Sequence, residues 1–333
     1  MPACARFNRR HLFRTAFGEA IRVNKRRGKI LVVRGGAIGD FILTLPAVAA
    51  LRRRFADAHL ELLGYPHIAQ LAAAAGLVDC VRPIEARGLA SFFARGGPLP
   101  DDLKDYFSEF DVIVSYLYDP DGIFHENIGR CSFALFIQGP HRPGENASVH
   151  ATKVFLQPLE RLAIFDAPNI PHLQFARAVK HPEPTLAVHP GSGSERKNWP
   201  EHKWLELLQS LVRRPGLRLL LVGGEAEGDR LDRLKVALPA EKIAIARSLP
   251  LVELGELLQG CIGFVGHDSG ITHLAAALGL PCVVLWGDTN PEIWRPLGRH
   301  VAVVRNEFGL SAIEVRHVQA ELDKIFVCSS ASG

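Results

Sequence analysis

The chain has 333 residues, 47% hydrophobic and 22% charged, with a formal net charge of +4. That length exceeds what one ordinary core organises and fits two domains, and the composition excludes a disordered or fibrous chain. No apolar run reaches the roughly 18–20 residues that span a bilayer, and the opening MPACARFNRRHLFRTAF lacks the apolar stretch of a secretory signal.

Residues 1–28 read as a basic leader. Nine cations stand against Glu19 within residues 1–29, a local charge of +8 that leaves the remaining chain at −4. Leu12, Phe13, Ala16, Phe17, Ala20 and Ile21 recur at helical spacing beside the arginines, a pattern that suits an interfacial helix on an anionic leaflet. Packing of that stripe on the protein itself is an equal reading. No basic motif interleaved with aromatics follows, so nucleic acid is not expected as a partner.

From residue 29 short apolar runs alternate with helical periodicity. KILVVR (29–34) reads as a buried strand, the glycine turn GGAIGD follows, and FILTLPAVAALRRRF has helical character. HLELLG (59–64), CVRPI (80–84), DVIVSY (111–116) and FALFI (133–137) read as further strands, with a helix over 67–76. Strands alternating with helices predict a parallel sheet covered on both faces. The proline-rich stretch 166–185 lacks periodicity and reads as a connection.

The alternation then begins afresh. Strands are expected at TLAVHP, LRLLLVGG, KIAIA, IGFVG and PCVVLWG, and a closing helix over SAIEVRHVQAELDKIF. The expected fold class is α/β, two Rossmann-like domains facing a cleft. Their bounds are 29–170 and 185–328, joined by a linker over 171–184. In such sheets ligands collect at the carboxyl ends of the strands.

Chemistry-bearing residues fall at those ends. Gly35-Gly36-Ala37-Ile38-Gly39-Asp40 misses the dinucleotide fingerprint, because alanine occupies the second glycine position. Asp40 is either a helix cap or a carboxylate placed to take a proton from a hydroxyl. In His189-Pro190-Gly191-Ser192-Gly193-Ser194, Ser192 and Gly193 offer hydroxyl and amide groups to an anion, and Arg196 and Lys197 add positive charge. Glu225 after LVGG can accept ribose hydroxyls or stand as a helix-start charge. Gly266-His267-Asp268-Ser269-Gly270-Ile271-Thr272-His273 joins a strand to a helix starting near Ser269. It is not a nucleophile elbow, and its spacing is poor metal-ligand geometry. No CxxC pair occurs among the six cysteines, which argues against a zinc ribbon or a disulfide framework and for a reducing compartment.

Together ILVVRGGAIGDFILTLPAVAALRRRF, HPGSGSERKNWP and GHDSGITHLAAALGLPCVVLWG resemble the bacterial ADP-heptose:lipopolysaccharide heptosyltransferase family, glycosyltransferase family 9. The resemblance runs from about residue 29 to 297. It implies a GT-B fold and inverting transfer with no metal and no cofactor. By this resemblance Asp40 is the base and Lys197 contacts donor phosphate. Glu225 binds the nucleotide ribose, and Asp268, Ser269, Gly270 and His273 gather pyrophosphate and donor sugar.

Gly39, His125, Arg130 and Arg142, with His141, are candidate acceptor contacts, although the acceptor-facing loops lack a clear basic cluster. The implied partners are a nucleotide-sugar donor, ADP-heptose favoured, and a membrane-anchored glycolipid of the lipopolysaccharide-core type. The expected location is cytoplasmic, with peripheral contact to the inner membrane through the leader. A nucleotide-sugar epimerase or hydrolase of the same fold, or a non-catalytic nucleotide-sugar binder, are the alternatives.

Overall fold

The computed structural model describes residues 27–144, 148–192, 197–224 and 229–330. The basic leader, Gly193, Arg196 and Glu225 lie outside the described residues, apart from the leader's last two positions.

In chain order the first unit comprises β1 (Lys29–Arg34), α1 (Ile38–Arg54), β2 (His59–Gly64), α2 (Pro66–Ala74) and β3 (Cys80–Pro83). It continues with α3 (Asp101–Ser108), β4 (Val112–Ser115), α4 (Ile123–Gly129), β5 (Leu135–Gln138) and α5 (Ala151–Leu156). All its strand pairings are parallel, in the order β3-β2-β1-β4-β5. Leu31, Val32 and Val33 are fully buried, as a strand covered on both faces requires.

The second unit comprises β6 (Thr185–His189), α6 (Glu201–Val212), β7 (Arg218–Gly223), α7 (Arg230–Val236), β8 (Ile243–Arg247) and α8 (Leu251–Gln259). Then come β9 (Gly263–His267), α9 (Gly270–Ala277), β10 (Cys282–Leu285), α10 (Pro291–Trp294), β11 (Val301–Val304) and α11 (Val315–Ser330). These strands are also all parallel, ordered β11-β10-β9-β6-β7-β8. The edge strand β11 was not read from the sequence. The closing helix α11 packs on this second sheet through Val315, Val318, Leu322 and Ile325.

Strand order reverses between β1 and β4 in one sheet and between β6 and β9 in the other. Chains leaving two such neighbours run off to opposite faces, opening a crevice at their carboxyl ends. The two units are joined side to side, and one apolar cluster extends from α1 and α2 into α8 and α9. The proline-rich connection straps across this junction. Leu173 N–H donates to the Ala277 carbonyl at 2.8 Å, and Phe175 N–H donates to Gln259 Oε1 at 2.8 Å.

At the junction α1 meets α9 at their amino-terminal ends. A Cβ on Gly270 would lie 2.6 Å from Ile38 Cβ, and one on Gly39 would lie 3.3 Å from His273 Cδ2. The backbone approach depends on both positions being glycine. No described helix is long and apolar enough to cross a membrane.

Candidate active site at the facing strand ends

Asp40 occupies the first turn of α1. The helix cap is Ala37, which makes no side-chain cap bond, so the capping alternative for Asp40 does not hold. Its half-buried carboxylate has no hydrogen-bond or ion-pair partner among the described residues. Its backbone is held firmly. Arg34 Nη2 donates to the Asp40 carbonyl at 3.1 Å and Thr44 Oγ1 donates to the same oxygen at 2.8 Å. Arg34 Nη1 also donates to the His141 carbonyl at 2.8 Å and the Tyr116 carbonyl at 3.3 Å. Burial pushes the Arg34 pKa down, partly offset by the charge of Asp40. Nothing in the sequence marked Arg34 as other than a strand residue.

Across the junction, Asp268 follows β9. Lys197 Nζ lies 2.9 Å from Asp268 Oδ2, and Thr289 Oγ1 donates to the same oxygen at 2.7 Å. Thr289 was not singled out in the sequence, because the loop after β10 carries no motif. Ser269 is the cap of α9: its Oγ accepts from Thr272 N–H at 3.4 Å and lies 3.3 Å from His189 Nδ1. Ser192 Oγ pairs with Asn198 Oδ1 at 2.8 Å.

The loop after β6 is tied down at both ends by His267, another residue without an assigned role in the sequence. Trp199 N–H donates to His267 Nε2 at 2.8 Å, so that nitrogen carries no proton. Nδ1–H then donates to the Gly191 carbonyl at 3.1 Å. Arg230 adds a bond to the Pro190 carbonyl at 3.2 Å. A neutral, fully buried imidazole thus places Ser192 and Lys197 relative to Asp268.

His273 lies one turn into α9. Burial pushes its pKa down to about 4 against the opposing charge of Asp268, so the ring is neutral at physiological pH.

A cavity of about 320 Å³ collects Gly39, Asp40, Arg142, Ser192, Lys197, Asp268, Ser269, Gly270 and His273 in one place, with Thr289 and Trp294. It shares Asp40 and Arg142 with a cavity of about 560 Å³ in the first unit, and Lys197 and Thr289 with one of about 460 Å³ in the second. Arg142 spans the junction, its guanidinium 5.1 Å from the centre of the Trp294 ring.

His125 and Arg130 are not among the residues lining these cavities. His125 stacks on Phe136, and Arg130 ties α4 to the Gly97 carbonyl at 3.0 Å. Glu61 is a buried structural acid that accepts from Tyr106 Oη at 2.7 Å and Arg82 Nε at 3.2 Å. No group of three or more metal-ligating side chains occurs among the described residues.

Two parallel-sheet α/β units whose strand ends meet at a shared groove make the GT-B arrangement. Residues 158–323 match glycosyltransferase family 9 (heptosyltransferase), so the chain carries a domain of that family. The Pseudomonas aeruginosa protein named lipopolysaccharide heptosyltransferase 1 is 34% identical over 125 residues, 38% of this chain and 35% of that relative's length. Among solved structures, E. coli ADP-heptose LPS heptosyltransferase II superposes with a TM-score of 0.73 at 18% identity, covering 91% of this chain and 99% of that one. E. coli heptosyltransferase WaaC with ADP gives a TM-score of 0.70 at 18% identity, covering 89% and 99%. At such identity these two likenesses establish the fold.

Proposed function

We propose that the protein transfers a heptose from ADP-heptose to a hydroxyl of a lipopolysaccharide-core-type acceptor, inverting the anomeric centre. The observation that carries the reading is the central cavity. The Asp40 carboxylate, without a partner among the described residues, lines one side of it, and Lys197, the Asp268–Thr289 pair and the start of α9 line the other. A helix start and an ammonium are suited to a diphosphate. The family match and the ADP seen with the structural neighbour WaaC support an ADP-linked donor.

In this mechanism the donor diphosphate lies against Lys197, Ser192 and the α9 amides, which stabilise charge growing on the leaving group. Lys197 would exchange part of its contact with Asp268 for phosphate oxygens. The acceptor hydroxyl attacks from the opposite face while Asp40 removes its proton. The neutral His273 adds no positive charge of its own and shapes the floor beside Gly39. The junction of α1 and α9 holds the two halves in register, and the groove limits the water that would hydrolyse the donor.

No metal has a step in this scheme. Outside the described residues, Glu225 is assigned to the ribose by the family pattern, and Gly193 to the diphosphate by its place in the glycine-serine loop after β6. The basic leader is assigned to the anionic membrane surface that carries the acceptor.

Calorimetry against ADP-, UDP-, GDP- and dTDP-sugars, with and without chelator, tests the reading. The expected result is chelator-insensitive binding selective for ADP-heptose, weakened about ten-fold or more by Lys197→Ala through loss of a charge-assisted contact. Preference for another nucleotide, or no binding, contradicts it.

A further inference from the structure

The first unit contributes the largest of the three adjoining cavities, and its lining is unlike that of the donor side. Tyr65, Phe93 and Tyr118 are aromatic residues on its wall, with Asp40 at the end shared with the central cavity. Tyr118 is 68% exposed and Phe93 43% exposed, large apolar surface left in water at the mouth of a cavity. Tyr118 is steadied by the His141 ring, edge-on at 4.6 Å, and Phe93 by stacking on Phe124 at 5.2 Å.

The charged groups lining the cavity are two acids and two arginines, with His141 beside them. Glu85 is exposed, and neither Glu85 nor Asp40 has a side-chain partner among the described residues. The arginines are differently placed. Arg34 is buried, with its guanidinium engaged by three carbonyls and set 4.7 Å from the Phe155 ring centre. Arg142 lies against Trp294 at the central cavity. Free carboxylates therefore face the space; Arg34 is engaged by carbonyls, and Arg142, exposed and held by its contact with Trp294, stands at the end shared with the central cavity.

We infer that the acceptor residue presented to Asp40 is an uncharged sugar ring, held by stacking on Tyr118 and its aromatic neighbours rather than by ion pairs to phosphate or carboxylate groups. This inference rests on the glycosyl-transfer reading above in taking the cavity for the acceptor side. A pyranose has an apolar face of C–H bonds and a rim of hydroxyls. The flat faces of the aromatic rings match the first, and Glu85 and the tyrosine hydroxyls match the second. Away from the Arg142 end, a phosphate or carboxylate here would meet Glu85 and Asp40 with like charge, which disfavours binding.

Saturation-transfer NMR on the full chain without donor tests this, using an uncharged methyl heptoside disaccharide and the same disaccharide phosphorylated on the terminal ring. The expected result is saturation transfer to the uncharged ring, lost in Tyr118→Ala, with the phosphorylated form about ten-fold weaker. Glu85→Arg narrows that gap by removing a repelling charge. Tighter binding of the phosphorylated form, no binding of the uncharged one, or transfer unaltered in Tyr118→Ala overturns the inference. Donor calorimetry reads the other half independently. A protein that binds the uncharged disaccharide but no nucleotide sugar contradicts the glycosyl-transfer reading and leaves the acceptor chemistry standing.

Discussion

His273 carries its consequence in its protonation. The ring is buried beside Gly39, with its pKa lowered from 6.5 to about 4 by desolvation. The unfolded chain therefore binds a proton between those values that the folded chain does not. Stability is complete above the unfolded pKa and is lost as pH falls through the window towards about 4, by up to about 3 kcal/mol. His150, whose pKa burial also lowers, acts in the same direction. Thermal unfolding across that window should show a falling midpoint on acidification. In His273→Gln the fall should be shallower, with a lower midpoint near neutrality from the lost packing; an unchanged slope would show that His273 is not the group responsible.

The elements that bear the site were readable to different depths. Strands β1 and β2 have the bounds expected from the sequence, because a strand buried on both faces reads as an apolar run, broken in β2 only by the paired acid Glu61. Short elements such as β11 and α3 escaped, since four to eight residues carry too little periodicity to stand out. The strand-end residues Asp40, Lys197 and Asp268 were legible because turn chemistry concentrates there. Thr289, Trp294, Arg34 and His267 were not: their roles arise from contacts between distant segments, which no local pattern records. The crossing of α1 and α9 is another such contact. The resemblance makes Gly270 a donor contact, yet its lack of a Cβ also admits Ile38 from some 230 positions earlier. Gly270→Ala should therefore push the helices apart and cost about 1–3 kcal/mol, as overpacking does. Turnover should fall more than donor affinity, because Asp40 moves relative to the bound sugar. Calorimetric donor binding beside steady-state rates would separate the two; equal losses in both would argue that α9 alone is disturbed.

At the scale of the whole molecule, the groove is made by docking one unit on the other. Beside the helix crossing, His150 Nε2 donates to the Arg295 carbonyl at 2.8 Å, its Nδ1 being taken by Thr152 N–H at the cap of α5. Arg142 on Trp294 forms a second tie. Both ties fall on the segment around α10, which directly follows Thr289, the partner of Asp268. The docking of the first unit and the donor-side cluster thereby share one short stretch of chain, so the proposed transfer would have Asp40 beside the sugar only when both halves are in place. In the proposed mechanism Asp40 supplies that base. Asp40→Ala and Asp40→Asn should lower kcat about 10²–10⁴-fold, the range general-base removal costs. Donor affinity measured by calorimetry on the same samples should stay within about two-fold, since the carboxylate is not needed to bind diphosphate. Turnover close to that of the unaltered protein in either variant would contradict the claim.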